Sequence, residues 1–202
     1  MRIWIDFLTP KHMLLLTKLA ERLRMRGHSI LLTTRRHREV VGLMKLKNVD
    51  AIVVGEYGST VREKLQASID RMRELIPIVS EFSPDIAISH SSPEAARLAF
   101  GLQIPHYTIN DSPHAIHSAK LTLPLSEILF CSWIIPKDVW VPFGISPDRI
   151  VQYRGIDQIA WIRDFKPDEQ YMRRIGVPKG RDVVTIRESE VFASYLLGDV
   201  DS

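Results

Sequence analysis

A doubly wound α/β fold, with a mostly parallel sheet covered on both faces, is what this 202-residue sequence predicts. Three observations predict it. Short apolar runs alternate with segments of helical period, the links between them are short, and no internal repeat or low-complexity stretch interrupts the series. Right-handed crossovers then turn the alternation into a Rossmann-like layer. The length suits one good core and part of another element, hardly two full domains.

The elements follow in order. Arg2–Phe7 reads as the first strand. Thr9 and Pro10 are an N-cap and first helical residue, and Leu16, Leu19, Ala20 and Leu23 give the helix one apolar face. Gly27 ends it, with Arg24 and Arg26 placed to suit the helix dipole. Ile30–Thr33 is the second strand, and two short helix–strand steps lead to a third at Ala51–Val54. Thr60 and Glu63 make a capping-box pattern. Beyond it Val61, Leu65, Ile69, Met72, Ile76 and Val79 predict a long amphipathic helix with Pro77 kinking its last turn. Ile86–Ile88 is a fourth strand, Ser92-Pro93-Glu94 starts another helix and Gly101 stops it. Strands through Tyr107 and Ile109, over Ile128–Phe130 and over Ile150–Tyr153 complete the first unit, residues 1–160. Residues 161–202 read as a linker and the start of an incomplete second domain, with a helix ending at Arg173–Gly176 and a buried strand at Val183–Ile186.

Composition narrows the function. A hydrophobic share of 45% and a charged share of 25% are ordinary for a globular protein. The N-terminus lacks a signal-peptide pattern, no apolar stretch is long enough to span a bilayer, and the single Cys131 suggests a reducing, cytoplasmic compartment. Cys131 is expected as a buried structural thiol. The net charge of +3 is too small and too scattered for a nucleic-acid partner. Arg22, Arg24 and Arg26, and likewise Arg35, Arg36 and Arg38, read as solvated helix faces. There is no Gly-x-Gly-x-x-Gly, Walker or Gly-x-Ser-x-Gly motif, which argues against dinucleotide-dependent, P-loop and hydrolase chemistry.

In an open parallel sheet, ligands bind beyond the carboxyl ends of the strands. The loop Asp6–His12 carries an acid, a hydroxyl, a base and a histidine at a helix N-terminus. Gly55–Ser59 reads as a plain turn. In Ser89–Ser92, His90 is placed to act as a base with Ser91 and Ser92 beside it. Asn110–Ser118 is the richest polar loop, with Asp111, Ser112 and His114 as hydrogen-bonding candidates. Asp111, His114 and His117 have a composition suited to a divalent metal, but the spacing matches no firm ligand motif, so no metal site and no cofactor are expected.

These motifs are similar to those of an uncharacterised, mainly archaeal domain-of-unknown-function family resembling GT-B glycosyltransferases and UDP-N-acetylglucosamine 2-epimerases. The matching stretches are Ile3-Trp4-Ile5-Asp6 with Thr9-Pro10, Arg26-Gly27-His28, Ser92-Pro93-Glu94-Ala95-Ala96-Arg97, Asn110-Asp111-Ser112-Pro113-His114, Phe143-Gly144-Ile145 and Tyr153-Arg154-Gly155. The resemblance implies two Rossmann-like halves with a cleft between them. The N-terminal half shapes the acceptor side, and the C-terminal half holds the nucleotide-sugar donor. The chain stops near the start of that second half. On this reading Asp6, His12 and His90 are the catalytic candidates. Thr9, Ser91, Ser92, Asp111, Ser112 and His114 bind a sugar or nucleotide-sugar, and the chain alone is inactive. The alternative is a non-catalytic module that docks a separate donor-binding subunit. A homo-oligomer or a chain supplying the C-terminal half are the partners left open.

Overall fold

The computed structural model describes residues 1–168, 170–178 and 180–186. The strands are β1 (Arg2–Phe7), β2 (Ser29–Thr34), β3 (Ile52–Val53), β4 (Ile86–His90), β5 (His106–Ile109), β6 (Ile128–Ser132) and β7 (Ile150–Tyr153). The main helices are α1 (Pro10–Met25), α2 (Arg38–Lys47), α3 (Val61–Phe82), α4 (Pro93–Gly101) and α5 (Ile116–Thr122), with the short α6 (Ile159–Ile162) and α7 (Tyr171–Arg174) behind β7. All strand pairs are parallel, in the order β3-β2-β1-β4-β5-β6-β7. The Rossmann-like sheet expected from the sequence is therefore present. The chain reverses direction across the sheet between β1 and β4, so the loops that follow these two strands part and leave a crevice.

Local chemistry fixes the helix starts. Thr9 caps α1 by accepting the His12 N–H at 3.4 Å, with Pro10 opening the helix. Thr60 and Glu63 form a complete capping box on α3, the backbone N–H of each donating to the other's side chain at 3.1 to 3.2 Å. The interval between β2 and β3 holds one ten-residue helix, α2, where two short steps were expected.

The strand β1 is buried on both faces. Ile3, Ile5 and Phe7 pack against Met13, Leu16 and Ala20 of α1 and Val40 and Met44 of α2. Trp4 packs on the other face with Leu75 and Val79 of α3 and Ala95 and Leu98 of α4. A third core joins Leu129 and Cys131 of β6 to Ala119 of α5 and to Trp140. Each fully buried large apolar side chain contributes roughly 1.5–3 kcal/mol.

Two expectations are corrected. The helix α3 lies where predicted but turns a different stripe inward. Arg71, Leu75 and Val79 are buried, while Val61, Leu65, Ile69 and Ile76 are exposed. Val79 is buried as expected, and the stripe it shares carries Arg71, whose guanidinium is paired with the buried Asp6 carboxylate. The strand expected at Val183–Ile186 is absent. Residues 181–186 have no regular structure, Val183, Val184 and Ile186 are exposed, and a lone extended segment has no neighbour to pair with. Tyr195–Leu197 lie outside the described residues.

Winding also leaves one face thin. Helices α1 and α2 lie over the β3-β2-β1 half of one face, and α3, α4 and α5 lie on the other. Among the described residues, the short α6 lies on the α1 side of β5 to β7. A cavity of about 480 Å³ remains there, lined by Leu15, Leu19, Ile88, Ile109, Phe130 and Ile159 among others.

Candidate functional site

Two polar clusters occupy the carboxyl edge of the sheet. The first is closed. Asp6 lies at the end of β1 on the α3 side and has no exposed surface. Its Oδ1 accepts from Thr33 Oγ1 at 2.6 Å and Arg71 Nη2 at 2.5 Å, and its Oδ2 from Ser92 Oγ at 2.7 Å and Arg71 Nη1 at 3.2 Å. Trp4 Nε1 donates to Thr33 Oγ1 at 2.8 Å, and Arg71 Nε to the Val54 carbonyl at 3.1 Å. Burial alone would lower the Arg71 pKa, but the Asp6 carboxylate more than offsets it and the pKa is raised. Gly55 belongs to the same construction. It has φ 71°, and a Cβ there would lie 2.8 Å from Arg71 Cβ.

This placement changes the expected role of three residues. The Asp6 carboxylate already accepts four hydrogen bonds and presents no oxygen to the cleft. Ser92 is fully buried, donating to Asp6 while capping α4 through the Ala95 N–H at 3.2 Å. Thr9 serves as the α1 cap.

The second cluster is open. It gathers Lys11 and His12 from the first turn of α1, His90 from the end of β4, Asp111 from the loop after β5, and Tyr153 and Asp157 from β7 and the loop after it. Lys11 Nζ lies 2.5 Å from Asp111 Oδ2 and 3.9 Å from Asp157 Oδ2. His90 Nε2 lies 3.0 Å from Asp157 Oδ2 and 3.8 Å from Asp111 Oδ1. Tyr153 donates its hydroxyl proton to Asp157 Oδ1. Ser112 Oγ donates to Asp111 Oδ1 at 2.9 Å, and the Ser112 N–H to Asn110 Oδ1 at 2.8 Å, which sets the loop. The His12 ring stacks on His90, with centroids 3.9 Å apart and planes at 15°.

Ser91 holds this edge together. Its φ is 51°, its N–H donates to Thr108 Oγ1 and its hydroxyl to the Ile109 carbonyl at 3.1 Å, so β4 is tied to β5 at the site. His114 and His117 are exposed.

Charge states follow from these contacts. Burial would raise the pKa of Asp111, but the Lys11 hydrogen bond and the charges of His90 and Lys11 bring it below the ordinary value. Asp157 is likewise lowered, against the effect of burial, by hydrogen bonds from His90 and Tyr153. Burial, then the Asp157 carboxylate, pushes the Tyr153 phenol up. Burial pushes His12 well below its usual value, helped by His90, Lys11 and Arg35. The site thus holds two carboxylates, one ammonium and a neutral His12. His90 Nε2 faces the Asp157 carboxylate and its buried Nδ1 has no partner; with the ring proton on Nε2, Nδ1 is an acceptor.

Among the described residues, the grouping with metal-ligand spacing is His90, Asp111 and Asp157, whose ligand atoms lie within 4.8 Å of one another. It differs from the Asp111, His114 and His117 set considered from the sequence. The Lys11 ammonium already stands between its two carboxylates.

Sequence reasoning passed over Lys11, Tyr153, Asp157 and Arg35. Asp157 and Tyr153 follow from the rule already used, since the loop after β7 is also at a carboxyl edge. Lys11 lay inside a loop chosen for inspection. Arg35 was read as part of a solvated helix face. In the structure it precedes α2 instead, with its Nε buried and its guanidinium 4.2 Å from the centre of the Tyr57 ring.

A parallel, doubly wound sheet with a polar crevice at its switch point defines a Rossmann-like domain of the kind that makes up half of GT-B-type proteins. The chain itself belongs to the family described as Protein of unknown function (DUF354), which it matches over residues 1–202. It is 25% identical over 190 residues to the uncharacterized protein MJ0665 of Methanocaldococcus jannaschii, covering 92% of this chain and 55% of that protein. Among solved structures it resembles the UDP-GlcNAc 2-epimerase of Neisseria meningitidis bound to UDP-GlcNAc. The TM-score is 0.64 and the identity 16%, over 81% of this chain and 49% of that one. It also resembles MurG of Acinetobacter baumannii, with a TM-score of 0.59 and 12% identity over 89% of this chain and 50% of that one. The chain spans about half the length of these proteins, and at such identities the structural likeness is one of fold. No helix among the described residues is long and apolar enough to cross a membrane.

Proposed function

We propose that this chain is the acceptor-side half of a nucleotide-sugar-dependent, glycosyltransferase- or epimerase-like protein, with His90 as its general base. The observation that carries the reading is the His90–Asp157 pair: a carboxylate 3.0 Å from Nε2 fixes the imidazole tautomer and leaves Nδ1 as an unused acceptor at the crevice.

In sugar transfer, an acceptor hydroxyl gives its proton to Nδ1 while its oxygen bonds to the donor's anomeric carbon. The bond from that carbon to the nucleotide breaks, and the nucleotide leaves with the electron pair. In epimerisation the same base takes a proton from a sugar carbon, and a proton is then returned to the opposite face of that carbon. Asp157 and Tyr153 orient the imidazole, and Lys11 with Asp111 offers a donor and an acceptor to sugar hydroxyls. On this reading the donor is held outside these residues, which bind ligand without turning it over. A cytoplasmic setting fits the single, buried Cys131 thiol.

Titration of the chain with UDP, UDP-GlcNAc and simple sugars, followed by calorimetry and amide shifts, tests this. Saturable binding that moves the Lys11, His90 and Asp111 amides, and that weakens about tenfold in His90→Gln, is expected. Turnover of a UDP-sugar by the chain alone would remove the half-site part of the proposal, and no binding at all would remove the rest.

A second reading, a non-catalytic module that docks a donor-binding subunit, draws on the thinly covered sheet face with its 480 Å³ apolar cavity. A strictly monomeric chain at high concentration that captures no such subunit argues against it.

A further inference from the structure

Among the described residues, Arg35 is a cation that its own contacts do not explain. It follows β2 directly and so lies at the carboxyl edge of the sheet. Its Nε is buried with no hydrogen-bond partner, and no carboxylate of the described residues is within ion-pair distance of its guanidinium. Its neighbour Arg36 behaves quite differently, lying exposed with Nε 3.4 Å from Glu56 Oε1. Leaving buried guanidinium donors unmade is costly unless something else accepts from them.

The guanidinium does not wander. It stacks on Tyr57 with its carbon 4.2 Å from the ring centre, and Lys64 Nζ lies 5.1 Å from the same centre. Stacking occupies the flat face and leaves the edge donors to a ligand. A second orphan lies close by. His12 Nδ1 is buried without a partner on the first turn of α1, and because Phe7 pairs in register with Thr34, Arg35 and the start of α1 follow neighbouring strand ends at one corner of the sheet. The carboxylates felt at Arg35 are Glu94 and Asp6, and Asp6 is fully engaged with Arg71.

We infer that Arg35 and His12 Nδ1 together form an anion subsite that receives a phosphoryl group. The fork of the guanidinium matches two phosphoryl oxygens, and the Nδ1–H tautomer of neutral His12 donates to one of them. If the proposed function holds, that group is the diphosphate of a nucleotide-sugar.

The test uses the full chain, with pyrophosphate, UDP and uridine as separate probes in calorimetry and in NMR of the arginine Nε–H signals. Pyrophosphate and UDP are expected to bind saturably and to shift the Arg35 Nε–H resonance, whereas uridine does neither. Arg35→Gln should weaken pyrophosphate at least tenfold, while Arg36→Gln, the same charge change one residue away, should alter it less than twofold. Equal weakening by the two variants, or pyrophosphate binding with an unmoved Arg35 signal, overturns the subsite; so does no pyrophosphate binding. The resonance decides the matter in the unsubstituted chain even if Arg35→Gln fails to fold. The two proposals fail separately. UDP-GlcNAc binding that is indifferent to Arg35→Gln removes the subsite alone. Pyrophosphate binding at Arg35 with no added affinity for UDP or UDP-GlcNAc removes the nucleotide-sugar reading alone.

Discussion

The Asp6–Arg71 cluster and the Lys11–His90–Asp111–Asp157 cluster use nearly the same parts at the same edge of the same sheet. Each pairs carboxylate with cation and adds a hydroxyl donor. In the first, all four acceptor positions of Asp6 are filled and both charged side chains are at most 1% exposed. In the second, Lys11 and Asp111 keep 31% and 24% of their side-chain surface, and two histidine nitrogens have no partner. Chemistry that is saturated holds a fold together, and chemistry left short of partners is available to a ligand. Residue type alone does not separate the two.

The comparison breaks first at Arg71. Arg71→Met strands the Asp6 carboxylate in the core and should cost about 3–5 kcal/mol in urea unfolding. A loss under about 1 kcal/mol would mean that the closed cluster is not structural.

Histidines extend the contrast. His106 is satisfied at both nitrogens, by Ser89 Oγ at 3.0 Å and Ser126 Oγ at 2.9 Å, and burial depresses its pKa to about 4. The folded state therefore resists a proton that the unfolded chain accepts near pH 6.5. Stability is full above that pH and falls as pH drops from about 6.5 to about 4, by about 3 kcal/mol. His12, also depressed, adds to the same slope. Unfolding measured at pH 7 and pH 5 should show the loss, and His106→Gln should flatten it. An unchanged slope in that variant would place the effect elsewhere.

The smallest effect belongs to the open cluster. Asp157→Asn should cost only about 1 kcal/mol of stability, the worth of an ordinary hydrogen bond, because Lys11 retains Asp111. Its larger consequence is in binding, where the freed imidazole loses its fixed tautomer. A stability loss matching that of Arg71→Met would erase the distinction between the clusters.

The layered architecture was legible because strand order in such sheets follows from short links and handed crossovers, and the caps at Thr9 and Thr60 are written locally. The loops that carry the site were legible for the same reason, as with His90 and Asp111. What was not legible depends on contacts far apart in sequence. Asp6 and Arg71 are 65 residues apart and His90 and Asp157 are 67 apart, so neither pairing leaves a local trace. The inward stripe of α3 belongs here too, since of the apolar series from Val61 to Val79 the last residue is buried while Val61, Leu65, Ile69 and Ile76 are exposed, and Arg71 lies inside instead. Val183–Ile186 was the opposite error, an apolar run taken as a buried strand whose Val183, Val184 and Ile186 are exposed among the described residues.

The position of β1 in the sheet has a consequence for how the molecule opens. It lies between β2 and β4, with helices against both faces, while β3 has two residues and β7 forms the other edge under a single short helix. Amide protons of Ile3 to Asp6 should therefore exchange with solvent only when the whole domain unfolds, whereas those of β7 exchange through local openings. Asp6 rides on the slowest strand and Asp157 hangs from one of the fastest, so the crevice has one wall that keeps time with the fold and another that can breathe without it.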